Sequence, residues 1–117
     1  MIGMAAAPKA SGPAAAPERS VEPLDGFDDV VAAILAMRSP EELKRFLRDL
    51  CTLSELEALA HRWQTARLVD EGVPYHEIAQ RVPTSTATVT RVAQWLRHGA
   101  GGYRLALDRT PRRGRPR

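Results

Sequence analysis

Cysteine is nearly missing from this chain of 117 residues, where Cys51 stands alone. No intramolecular disulfide framework can form, and a reduced, intracellular setting is expected. Aromatic residues make up only 5%, although hydrophobic residues reach 44%, ample for a globular fold. The opening, "MIGMAAAPKASGPAAAPERS", contains no apolar run of signal-peptide length and no membrane span follows, so a cytoplasmic protein is expected. Strand-like alternation is missing throughout, which predicts an all-α domain. No Gly-rich phosphate loop follows a strand, and Cys51, His61, His76 and His98 lack metal-ligand spacing. These absences argue against an enzyme, a metal site or a cofactor.

Acid is also missing from one end. Residues 78–117 hold nine arginines and a single acid, Asp108, whereas residues 1–77 hold 8 Lys/Arg against 13 Asp/Glu. A net charge of +3 conceals this division. Basic charge concentrated in one half predicts a polyanion partner on one face, double-stranded DNA above all.

What is present divides the chain in three. Residues 1–23 are Ala, Pro, Gly and Ser with scattered charges, a composition that predicts a disordered arm. Residues 24–109 carry helical periodicity, and 110–117 form a basic tail, "TPRRGRPR". Phe27, Val30, Val31, Ile34 and Leu35 predict a first helix reaching about Met37. "SPEE" predicts a second, with Ser39 as cap, Pro40 in the first position and Glu42 completing a capping box. Leu43, Phe46, Leu47 and Leu50 form its apolar stripe. The third helix starts at Ser54 with Glu57, or equally at Thr52, shows Leu56, Leu59, Ala60, Trp63 and Ala66 on one face, and stops at Gly72. Trp63 and Cys51 are expected in the core. Below about 100 ordered residues a core is marginal, so a partner subunit is expected to complete it.

The stretch "VPYHEIAQRVPTSTATVTRVAQWL" gives two short amphipathic runs broken at Val82, Pro83 and Thr84. Ile78, Ala79 and Val82 line the inside of the first; Val89, Val92, Ala93 and Leu96 line the inside of the second. This is the helix-turn-helix pattern, whose second helix enters the major groove. Threonine is a poor helix former, at a few tenths of a kcal/mol per residue. In a groove its hydroxyl reaches phosphates or base edges and its methyl can touch a thymine methyl. With the inner face fixed, Thr86, Ala87, Thr90, Arg91 and Gln94 fall outside. Thr84 or Ser85 can cap the helix and direct N–H groups to a phosphate. Arg97 is expected to hold a phosphate too. Gly99, Gly101 and Gly102 end this helix, and "YRLALDR" predicts a last short one.

"TLSELEALAHRW" followed by "TSTATVTRV" and "GGY" resembles the Trp repressor superfamily, in particular its small TrpR-related YerC/YecD group, over roughly residues 27–107. The resemblance implies an intertwined helical homodimer that binds operator DNA through two helix-turn-helix units. It places base contacts at His76, Ala79, Thr86, Ala87 and Thr90, although Ala79 lacks the long polar side chain expected there. Pro83 replaces the glycine usual in the turn, and proline cannot adopt a positive φ. The resemblance also implies a small-molecule site formed by Arg62 and Arg91 near Thr52 and Thr88. Val92, however, stands where the tryptophan-binding member has glycine, so a tryptophan corepressor is not expected.

In the tail, Arg113 and Arg115 flank Gly114 as in the core of an AT-hook. Extended arginines of this kind can enter a narrow minor groove. The reading is a sequence-specific regulator, a repressor occluding a promoter; a low-specificity architectural DNA-binding protein that uses the tail is the alternative.

Overall fold

The computed structural model describes residues 24–111, and its described residues are all helical and irregular, with no strand. Six helices follow one another: α1 (Phe27–Ala36), α2 (Pro40–Leu50), α3 (Leu53–Asp70), α4 (Tyr75–Arg81), α5 (Thr86–His98) and α6 (Gly102–Arg109). The arm over residues 1–23 and the tail arginines Arg113 and Arg115 lie outside the described residues.

The helix starts follow local chemistry. Ser39 Oγ accepts the Glu42 N–H at 3.1 Å, as expected of the cap of α2. The Glu42 carboxylate, however, accepts the N–H of Arg38 at 2.7 Å and not that of Ser39, so the expected box closes one residue further back. For α3, Thr52 is the cap and the box is complete: Thr52 Oγ1 accepts from Glu55 N–H at 3.1 Å and the Glu55 carboxylate accepts from Thr52 N–H at 2.8 Å. Ser54 thus lies inside the helix. Gly72 ends α3 with φ +88°. Its N–H donates to Val69 O and that of Val73 to Leu68 O, a paired closure that needs a left-handed residue. Glycine takes that conformation without steric cost.

α3 packs chiefly on α5, α4 lies against both, α6 closes on α5, and α2 leans on α3. The buried apolar side chains are Ala66 of α3, Ile78 and Val82 at α4, and Val89, Val92 and Ala93 of α5. Each aliphatic side chain of Val or Ile size buried in this way contributes about 1.5–3 kcal/mol. The inner faces expected for α4 and α5 are therefore the core itself, with Leu96 and Ala79 half-buried at its edge.

The first two helices differ. Neither α1 nor α2 buries a single residue completely. Leu24, Phe27, Val31 and Leu35 are exposed along α1, as are Leu50, Leu53 and Leu59 beyond it, with Leu35 at 78%. Their periodicity predicts a buried face, but one protomer does not cover it. Cys51, expected in the core, is only half-buried because it sits at the α2–α3 junction on this uncovered side. Trp63 is half-buried as well, its ring stacked on Tyr103 of α6 at a centroid distance of 6.5 Å and 15° between planes.

Candidate nucleic-acid interface

α4 and α5 meet across Val82–Ser85. Val82 is extended, with φ −112° and ψ 130°, as the steric bulk of a following proline requires. No non-glycine residue among those described has a positive φ. The turn is thus built without a left-handed residue, and Pro83 fits it because its fixed φ is compatible with such a path. Val82 tucks into the core on one side of the turn while Pro83 is exposed on the other.

Ser85, and not Thr84, caps α5. Its Oγ accepts the Thr88 N–H at 3.1 Å and donates toward Thr88 Oγ1 at 3.2 Å; Thr84 is half-buried in the turn. The backbone N–H groups of Thr86 and Ala87 have no helical carbonyl within reach, so they remain at the exposed end of α5 as donors suited to an anion.

Burial of Val89, Val92 and Ala93 fixes how α5 is rotated. Thr86, Ala87, Thr90, Arg91, Gln94 and Arg97 are all exposed, and His76 is exposed in the first turn of α4. The structure therefore brings these sequence-expected residues onto the outer side of the helix-turn-helix. Ala79, which periodicity places on the inner face of α4 and the resemblance at a base contact, is half-buried. It packs against the Ile78–Val82–Val89 cluster, and its single methyl group is used inside the fold.

Charge is distributed unevenly among the arginines. Arg81 pairs with Glu77 at 3.3 Å, and Arg104 is held by Asp70 and Asp108. Arg91 and Arg97 have no ion pair with any described carboxylate. The two guanidinium groups on α5 are thus exposed and unpaired by any described carboxylate, while those of Arg81 and Arg104 are engaged within the fold.

The four residues of the implied small-molecule site each have local surroundings. Thr52 is occupied as the α3 cap, and Thr88 accepts the Ser85 hydroxyl. Arg62 lies near Tyr103, whose phenol is raised above its ordinary 10.0 by burial, the guanidinium pulling the other way. Arg91 projects from the exposed face of α5. Val92, only 5% exposed, fills the interior beneath it.

Trp95 is a residue that periodicity left unassigned. It is 42% exposed on α5, with its ring over Gly99. Gly99 is buried, and a Cβ there would collide with the Trp95 carbonyl oxygen and ring. The close approach is what the first glycine of "GAGG" provides, and no helical period could announce it.

The capped, outward-facing α5 set on α4 by a tight turn defines a helix-turn-helix protein. The Trp repressor protein family model matches residues 25–111. A curated relative, the uncharacterized protein YerC of Bacillus subtilis (strain 168), is 43% identical over 83 residues, covering 71% of this chain and 80% of that protein. Two crystal structures share the fold. A TrpR-like protein from Eubacterium eligens ATCC 27750 gives a TM-score of 0.70 at 31% identity, over 74% of this chain and 89% of that one. A Staphylococcus aureus protein provisionally described as a Trp repressor gives 0.69 at 37% identity, over 74% and 87%. The chain belongs to the Trp repressor family, a family of helix-turn-helix DNA-binding regulators.

Proposed function

We propose that this protein is a sequence-specific transcriptional regulator that binds operator DNA as a homodimer and represses by occluding a promoter. The observation that carries the reading is the division of α5: Val89, Val92 and Ala93 are buried, and Thr86, Ala87, Thr90, Arg91, Gln94 and Arg97 are exposed. Thr86, Ala87, Thr90 and His76 read base edges. Ser85, with the free N–H groups behind it, Arg91, Gln94 and Arg97 hold the backbone.

The homodimer is supported by the uncovered apolar faces of α1 and α2. An exposed stripe from Leu24 through Phe27 and Val31 to Leu35 is costly in water, and a second copy removes it. Two recognition helices related by a twofold axis then require two half-sites in an inverted repeat. No described helix is long and apolar enough to cross a membrane, and a protein that works on a promoter acts in the cytoplasm.

The full chain, incubated with a random DNA pool at about 150 mM salt, should enrich an inverted repeat, since specific complexes persist at that concentration. A chain truncated after Thr110 should enrich the same repeat with lower affinity. Loss of nearly all binding on truncation points instead to the architectural, tail-driven protein, and failure to enrich any sequence overturns the proposal.

A further inference from the structure

The threonine hydroxyls on α5 are not equivalent. Thr90 Oγ1 donates to the carbonyl oxygen of Thr86 at 3.0 Å, within the geometry of a good O–H···O bond. A hydroxyl has one proton, so that of Thr90 is already spent on its own helix. A threonine tied back to the preceding turn has a fixed χ1, and the branch left untied is the γ-methyl. Thr90 is exposed, so this apolar group lies on the outer face. Ala87, three residues earlier, is also exposed, and residues at that spacing are surface neighbours on a helix. Its side chain is a single methyl. The centre of the outer face therefore offers two adjacent methyl groups, framed by Arg91 and Gln94, where the residue types alone suggested a row of hydroxyls.

Resting on the DNA-binding reading above, we propose that Thr90 determines specificity by packing its γ-methyl against the C5-methyl of a pyrimidine, with Ala87 beside it. The hydroxyl positions the side chain and, its proton spent on Thr86, donates to no base. In the major groove the C5-methyl is the apolar feature that marks thymine, and 5-methylcytosine offers the same group.

The test uses the full chain and the DNA sequence it selects from a random pool. Each thymine of a half-site is replaced in turn by deoxyuridine, which removes only the methyl. One position should lose about fourfold in affinity, the worth of one buried methyl group. Thr90→Val, which keeps the methyl and discards the hydroxyl, should retain that difference. Thr90→Ser, which keeps the tie to Thr86 and discards the methyl, should bind thymine and deoxyuridine sites alike. At the same position 5-methylcytosine should bind better than cytosine by the same factor, which separates the methyl from the rest of the thymine edge. Thr90 is exposed, so both variants should melt with the parent chain. A deoxyuridine-insensitive site, or a Thr90→Val chain that loses the discrimination, overturns this inference while leaving the DNA-binding reading intact. A pool with no enriched sequence overturns both.

Discussion

Arg104 of α6 forks onto Asp70 at the end of α3, its Nη1 3.0 Å from Oδ1 and its Nη2 3.4 Å from Oδ2. The same guanidinium reaches Asp108 one turn along, with Nε 3.0 Å from Oδ1. These hydrogen bonds, that with Asp70 first, raise the arginine further above its ordinary value, so the guanidinium keeps its charge at any pH at which the fold is studied. α6 follows directly on α5, and the fork ties α6 to the end of the long central helix.

Breaking that fork should loosen α6. Arg104 is half exposed and Asp70 is largely covered, so solvent screens the pair and its worth stays within the range for surface ion pairs, about 1 kcal/mol at most. Arg104→Ala should lower the melting temperature by a few degrees, and the difference should shrink in about 1 M salt, where the screening length falls to about 3 Å. Thermal melts of both chains at two salt concentrations check this; a salt-independent loss would assign the effect to packing of the arginine stem.

Gly99→Ala should cost more than its small size suggests. Gly99 has φ −88°, outside the left-handed region that favours glycine. The added methyl would press on the Trp95 carbonyl, part of the backbone of α5, and on its ring. Overpacking of this kind costs about 1–3 kcal/mol. A urea denaturation midpoint measures it, and an unchanged midpoint would show that the α5–α6 corner yields freely.

Thr65 carries the opposite lesson. It is fully buried on α3, and its Oγ1 finds no partner among the described residues. A buried hydroxyl left unpaired costs about 1–3 kcal/mol. Thr65→Val keeps the shape and removes the polar atom, so it should raise the denaturation midpoint. A lowered midpoint would mean that the hydroxyl is satisfied in the assembled protein, by a water molecule or a second copy.

How much of this was legible beforehand depends on the range of the interaction. The inner faces of α4 and α5 follow from a 3.6-residue period, and Ile78, Val89, Val92 and Ala93 are buried as that period requires. The start of α3 was ambiguous because Thr52–Glu55 and Ser54–Glu57 have the same spacing, and only hydrogen-bond geometry separates them. Periodicity marked the apolar stripe of α1 but could not say whether its own chain or another covers it. Arg104–Asp70, 34 residues apart, and the Trp63–Tyr103 stack belong to packing between helices and leave no local trace. Thr90 was legible as an outward residue, yet the use of its hydroxyl depends on a rotamer.

Leu35→Asp tests the proposed dimer. Leu35 is 78% exposed in one protomer, so the substitution should leave the protomer's own fold undisturbed. In a second copy's interface it would bury an unpaired carboxylate, which is strongly disfavoured. Analytical ultracentrifugation should show the parent chain as a dimer and the variant shifted to monomer, with DNA affinity falling in parallel. A variant that sediments with the parent chain would remove Leu35, and the α1 stripe with it, from the interface.

Arg97→Ala separates holding from reading. Arg97 is exposed in the last turn of α5 and without a described carboxylate partner, so in the proposed complex it meets phosphate. A phosphate contact releases counterions whatever the sequence. Its loss should therefore weaken selected and random DNA by the same factor and reduce the slope of log affinity against log salt by about one for each copy of the contact. Thr90→Ser, in contrast, should weaken the selected site and leave random DNA and the salt slope nearly unchanged, because a methyl contact carries no charge. Titrations of both variants on both DNAs, over a range of salt, give the four slopes. If Arg97→Ala instead erased the preference for the selected site at constant slope, the guanidinium would be reading a base edge, and the division of α5 into a central apolar reader and a charged rim would have to be redrawn.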